Sequence, residues 1–204
     1  MIFKIVIFLI LLIKCMFKKI NIIRHGQSRW NVENRFTGWI DSKLTNEGKN
    51  QVIRAAKDLI ITNNIPDIIY CSEQKRSIES SNIIINELKY YNKNIILKKD
   101  WRLNERHWGT LTGYKKNYIK SKYGRTYFNN IIYSYNRKLP IISSKNLVIP
   151  KYRSGNYLDN FKYGETKEDI INRIKPFLDK KIINENNKNV LIVGHSHTLR
   201  SIII

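Results

Sequence analysis

Cysteine is scarce in this chain. Its 204 residues hold two, Cys15 in an apolar leader and Cys71 at the end of a predicted strand. Such a pair cannot make the framework of a disulfide-rich secreted domain and says little about redox compartment. No segment repeats, which sets aside solenoids and propellers. No apolar run reaches the roughly 20 residues that a transmembrane helix needs. Acidic residues are few, 16 Asp and Glu against 37 Lys and Arg, for a net charge of +21. The basic residues do not gather into one tract, and there is no zinc-finger, RNA-recognition or basic-helix signature. The charge therefore points less to nucleic acid than to an anionic small substrate such as a phosphate ester, or to a composition biased towards Lys, Asn, Ile and Tyr throughout.

What is present is a globular composition, 42% hydrophobic and 11% aromatic. At this length the chain is one domain, or one domain with a sub-lobe, and it can bury a real core. Residues 1–16, MIFKIVIFLILLIKCM, form an apolar leader broken by Lys4 and Lys14. Ile2 to Ile13 has the length of a signal-peptide core or an uncleaved anchor, with no small-x-small cleavage site after it. An extra buried strand, or an extension of the reading frame, fits the leader equally. The compartment follows from that choice. It is cytoplasmic if the leader is idle, and the secretory pathway or a membrane surface if it works.

From about residue 17 the pattern is strand, loop and helix in series. Ile20 to Ile23 reads as a buried parallel strand that ends in Arg24-His25-Gly26. Open α/β sheets build their sites at that end of the strand. Gly26 is expected to let the chain turn sharply and an oxyanion come close. Thr45 or Asn46 caps a helix whose stripe is Val52, Ala55, Ala56, Leu59 and Ile60, and Asn63, Asn64 and Pro66 end it. Asp67 to Cys71 is a second strand, and Arg76 stands on the turn into the next helix. Asn94 to Lys98 is a third strand. Residues from about 110 to 160 lose periodicity and read as an inserted lobe or lid. A helix spans about Lys167 to Ile183, with Pro176 inside it as a kink site. Asn189 to Gly194 is the last strand, followed by His195-Ser196-His197.

Such units in series predict a three-layer α/β/α fold with a mostly parallel central sheet. The sheet brings Arg24, His25, Arg76 and His195 to one rim. Two imidazoles and two guanidiniums on one spot repel each other unless an anion joins them, and a phosphoryl group answers to that charge.

The chain resembles the histidine phosphatase superfamily, and within it the 2,3-bisphosphoglycerate-dependent phosphoglycerate mutase family. The resemblance runs from about Lys18 to the end. It is carried by RHGQSRWNVENRFTGW (Arg24 to Trp39), SEQKRSIES (Ser72 to Ser80), LNERHWGTLTGYKK (Leu103 to Lys116), GET (Gly164 to Thr166) and VLIVGHSHTLR (Val190 to Arg200). It implies that His25 takes up a phosphoryl group, with Arg24, Arg76 and His195 stabilising it. Glu105 would be the proton donor and acceptor, able to act near neutral pH if burial raises its pKa. Asn31, Thr37, Gly38, Arg106, His107, Trp108 and Lys116 would contact the phosphoglycerate, with Trp108 where the family usually has Tyr. Ser196 and His197 stand where the family has Gly-Asn, and are expected on the substrate as well. The implied activity interconverts 3-phosphoglycerate and 2-phosphoglycerate, primed by 2,3-bisphosphoglycerate and without a metal. The expected partner is a small phosphate ester, with membrane contact through residues 1–16 and a homo-oligomer both compatible.

Three departures bear on this expectation. The family's adjacent arginine pair is replaced by Ile132 and Tyr133, with Arg137-Lys138 a few residues on. Ser196-His197 is the second departure. The third is that the sequence stops at Ile204, inside the helix after His195, where the family continues with a further strand and a tail. A phosphatase of the same superfamily, or a catalytically silent relative, is the alternative these departures leave open.

Overall fold

The computed structural model describes residues 19–136, 164–185 and 188–203. The leader, residues 1–16, and the part of the expected lid from residue 137 onward lie outside the described residues, as do Arg137 and Lys138. Four strands form one sheet: β1 (Ile20–Arg24), β2 (Ile68–Cys71), β3 (Ile96–Lys99) and β4 (Val190–Gly194). Their order is β1-β4-β2-β3 and every pair is parallel. Parallel strands need crossovers, and helices supply them: α1 (Arg29–Val32), α2 (Asn46–Ile61), α3 (Lys75–Leu88), α4 (Lys116–Tyr123), α5 (Arg125–Tyr133), α6 (Lys167–Phe177) and α7 (Ser196–Ile203).

The period of two along a strand sorts the core into two layers. Ile69, Cys71, Leu191 and Val193 face α2 and α3, packing on Val52, Ala56, Leu59, Ile84 and Leu88. Ile68, Tyr70, Val190 and Ile192 face the other way, onto Phe177 of α6 and Leu199 of α7. Both β2 and β4 are buried along their whole length, which is why they read as unbroken apolar runs. The three-layer α/β/α architecture expected from the sequence is the one observed. Among the described residues no helix is long and apolar enough to cross a membrane.

Local chemistry explains the boundaries. Thr45 caps α2, its side chain accepting from the Gly48 N–H at 2.9 Å. Thr166 and Asp169 make a reciprocal capping box at the start of α6. Three expectations are corrected. β3 begins at Ile96 rather than Asn94, because Asn94 takes part in a turn on the Asn92 side chain. α6 ends at Phe177, and Leu178–Ile182 is a π turn rather than more of the same helix. Pro176 has no N–H to give the preceding turn, so the ladder there is already broken. The stretch after residue 110 is not without order, since α4 and α5 lie in it. Its period was masked by polar Tyr, Lys and Asn, and α4 and α5 bury Ile119, Ile131 and Ile132 alone, packed with Phe36, Trp108 and Leu111.

Gly26 answers to a different need from the one expected. A Cβ on it would lie 2.1 Å from the Gly48 carbonyl oxygen, and one on Gly48 would lie 2.0 Å from the Gln27 carbonyl oxygen. The two glycines let α2 press directly on the loop after β1. Gly48→Ala should therefore destabilise the protein even though alanine is worth about 1 kcal/mol over glycine in a helix. Relieving the clash moves backbone, so a net loss of about 1–3 kcal/mol is expected in urea unfolding.

Candidate active site

The parallel register sets β1, β4 and β2 side by side, with Arg24 opposite Gly194 and Cys71 opposite Val193. The residues that follow each strand therefore share one rim. From β1 the chain carries Arg24 and His25, whose N–H donates to the Gly194 carbonyl at 3.0 Å. From β2 come Ser72, Gln74 and Arg76, and from β4 comes His195. The rings of His25 and His195 lie 4.8 Å apart.

His25 is 4% exposed. Its Nδ1 lies 2.6 Å from the Gly26 carbonyl oxygen, which can only accept, so Nδ1 carries the proton and donates. Nε2 is left with its lone pair, 3.4 Å from the Arg76 Nε–H. Burial first, then the charges of Arg76 and Arg24, hold the ring well below the usual histidine pKa. At neutral pH this is an uncharged imidazole beside two guanidinium groups, with the chemistry of a nucleophile available at Nε2. His195 is fully buried, and burial followed by Arg76 also depresses its pKa. The Ser72 hydroxyl accepts from the Gln74 N–H at 3.3 Å and shares a hydrogen bond with His195 Nε2 at 2.7 Å. The other ring nitrogen, Nδ1, is buried with no hydrogen-bond partner among the described residues. It can turn a polar atom towards His25.

A cleft of about 200 Å³ opens over His25. That is small beside the roughly 300–1,000 Å³ of pockets for drug-sized ligands, and suits a phosphate ester of a few carbons. Arg24, Arg76 and Lys116 line it as cations, Asn31 and Thr37 as neutral polar groups, and Gly38 with its backbone. The Thr37 hydroxyl is buried without a hydrogen-bond partner among the described residues. Asn31 is steadied by Arg24 at 3.3 Å and by the Ser28 N–H at 3.1 Å. Glu105, Trp108, Ser196 and His197 complete the wall.

Glu105 is half-buried and well held. Its N–H donates to Gln74 Oε1 at 2.8 Å, its carbonyl accepts from Trp39 Nε1 at 2.6 Å, and its carboxylate accepts from the Arg106 N–H at 2.8 Å. Beneath it the Arg173 guanidinium donates to the carbonyls of Arg102, Asn104 and Glu105 and pairs with Glu165 at 2.6 Å. Arg173 and Glu165 are almost wholly buried. Arg173→Met should cost about 3–5 kcal/mol in chemical unfolding, because it strands the Glu165 carboxylate.

Two expected substrate residues stand behind the wall instead of in it. Arg106 is fully buried, donating from Nε to the Glu165 carbonyl and from Nη1 to the Ile131 carbonyl, with its face on the Trp108 ring at 4.5 Å and Nη2 without a hydrogen-bond partner among the described residues. His107 is buried, its Nδ1 accepting from the Gly109 N–H at 3.1 Å. Burial drops its pKa to about 4. Their neighbours Glu105 and Trp108 reach the cleft, and this turn of chain cannot present every side chain to one side. Residues not singled out from the sequence also take part. Arg35 lines the cleft, and Ser72 and Gln74 fix the His195 ring and the Glu105 backbone. Ser72 and Gln74 lie inside the SEQKR run, but nothing local marks them as partners of residues more than 30 positions away.

The sequence profile of the histidine phosphatase superfamily (branch 1) matches residues 20–140 and 143–204. The chain belongs to the histidine phosphatase superfamily. Among members of that superfamily, it is 34% identical over 191 residues to the 2,3-bisphosphoglycerate-dependent phosphoglycerate mutase of Corynebacterium glutamicum, covering 91% of this chain and 75% of that protein. The enzyme of the same name from Bifidobacterium longum is 35% identical over the same shares. Solved structures share the superfamily fold. Bacillus stearothermophilus YhfR has a TM-score of 0.67 at 24% identity, with 92% of this chain and 78% of that one aligned. A mycobacterial glucosyl-3-phosphoglycerate phosphatase has a TM-score of 0.66 at 19% identity, over 92% and 80%.

Proposed function

We propose that this protein is a phosphoglycerate mutase that works through a phosphohistidine on His25. The observation that carries the proposal is an unprotonated Nε2 in a phosphate-sized cleft, with guanidinium groups on its flank and a carboxylate on the same wall. Nε2 attacks phosphorus and the P–O bond to the donor oxygen breaks. Arg24, Arg76 and the His195 ring stabilise the oxygens as charge spreads over them. Where the phosphohistidine is consumed, the Glu105 carboxylate takes the proton of the substrate hydroxyl as that oxygen attacks phosphorus and the N–P bond breaks. In the direction that returns a phosphoryl group to Nε2, Glu105 gives that same proton to the departing oxygen.

The donor set fits a bisphosphoglycerate. The Thr37 hydroxyl and His195 Nδ1 are buried polar atoms without a hydrogen-bond partner among the described residues, and Lys116 adds a cation to the cleft lining. When bound, 2,3-bisphosphoglycerate supplies the phosphoryl group that primes His25. Support for mutase over phosphatase comes from the names and the identity of the relatives. One observation favours the phosphatase reading: Ile132 and Tyr133 stand where the resemblance expects two arginines. Incubation with 3-phosphoglycerate, with and without the bisphosphate primer, separates the two readings. A mutase gives 2-phosphoglycerate only when primed. Release of inorganic phosphate without isomerisation would replace it with a phosphatase, and no phosphohistidine from any donor would end both.

A further inference from the structure

His197 is the shared wall of two cavities. One is the cleft over His25. The other, of about 280 Å³, is lined by Ile132, Tyr133, Lys167, His197, Arg200 and Ser201. Lys167 opens α6, and Arg200 sits on α7 one turn beyond His197. Among the described residues neither side chain has an ion-pair partner. The nearby carboxylate of Glu165 is taken by Arg173 and by the His107 N–H, and Glu105 opens onto the first cleft. Two cations, a half-buried Lys167 and an exposed Arg200, thus share one small pocket with Ile132 as an apolar wall. His197 stands with its edge on Trp108, ring centroids 5.1 Å apart and planes at 84°. Burial holds its pKa down to about 4, against the pull of Glu105 and aided by Arg106, Lys116 and Arg200. A neutral ring can hydrogen-bond a ligand passing from one cavity to the other without adding a third charge to either cation set.

We propose that Lys167 and Arg200 form a second phosphate subsite, reached past His197, which holds the distal phosphate of an ester whose reacting phosphate lies on His25. The inference rests on the phosphohistidine reading and specifies its substrate class as bisphosphorylated donors. The choice of phosphate over carboxylate follows from charge, since a doubly charged group matches two cations. Ile132 and Tyr133 then do not remove the second-phosphate site. The charge comes instead from α6 and α7.

Calorimetric binding to the full chain tests this with two probes, 2,3-bisphosphoglycerate and inorganic phosphate, the second scored by its tighter event, in the cleft over His25. Losing two charge-assisted contacts in the double variant Lys167→Ala, Arg200→Ala should weaken bisphosphoglycerate about 10- to 100-fold and leave that phosphate event unchanged. Arg200→Lys should keep most of the affinity. An equal loss with both probes, or no loss with either, overturns the subsite. Failure of the bisphosphate to bind the unmodified chain overturns it too. Labelling of His25 is scored separately. A selective loss of bisphosphate affinity without any phosphohistidine would keep the subsite and refute the catalytic reading.

Discussion

His25→Ala should leave a folded protein that forms no phosphohistidine and turns over phosphoglycerate on the order of 10⁴–10⁶-fold more slowly, the scale seen when a covalent nucleophile is removed. The substitution deletes the Nε2 lone pair and nothing that holds the sheet together. Its backbone N–H still reaches the Gly194 carbonyl, and the Gly26 contact with α2 is untouched. The measurement is a pair: label retained after an acid-free quench, and initial rate in the primed isomerase assay. Glu105→Gln offers the contrast. It leaves Nε2 in place, so His25 can still be labelled, while the return of the phosphoryl group to a substrate hydroxyl slows about 10²–10⁴-fold for want of a base. Label or turnover surviving in His25→Ala would remove His25 from the chemistry.

The second large effect concerns acid. The chain has four histidines, His25, His107, His195 and His197. All four are buried or half-buried around the site, and each has its pKa depressed, by burial above all. In the unfolded chain each returns to about 6.5. The folded protein therefore holds fewer protons than the unfolded one from about pH 6.5 down past pH 4, and unfolding takes protons up. Stability then rises with pH across that window, by about 1.4 kcal/mol per pH unit for each proton. The four act in the same direction, and four protons set the ceiling of the slope at about 5 kcal/mol per unit. Glu73, whose pKa burial raises, opposes this by at most one proton. Glu185, held down to about 2 by Lys98 and Tyr70, adds to the slope in the same direction from about pH 5 downward. Urea unfolding between pH 7 and pH 4.5 measures the slope, and His195→Gln should reduce it by close to one proton. A flat profile would mean that these rings are solvated in solution. Inorganic phosphate should flatten part of the slope, because an anion in the cleft favours the protonated forms of His25 and His195.

The fold was legible because its signals are local. Uninterrupted apolar runs at Ile68–Cys71 and Val190–Gly194 require burial on both faces, and burial on both faces requires helices on each side of a parallel sheet. Thr45 and Thr166 announce their helices by capping chemistry that spans three residues. The candidate nucleophile, its arginines and the second histidine all stand at strand ends, where a parallel sheet must gather them. The helices after residue 110 were harder to see, since α4 and α5 bury only one or two side chains each.

By itself, the order of residues determined the layers, the shared rim and the identity of the groups on it, because period and strand ends are properties of short segments. Only the tertiary structure decided which of those groups reach the cleft. Arg106 and Glu105 are neighbours in sequence, yet one guanidinium is buried under carbonyls of Glu165 and Ile131 while the other side chain faces the cleft. It also decided the proton on His25 Nδ1, the Ser72 partner of His195, and the meeting of Lys167 with Arg200. Each of these depends on a contact between segments far apart in the chain, where close packing rather than local preference selects the neighbour.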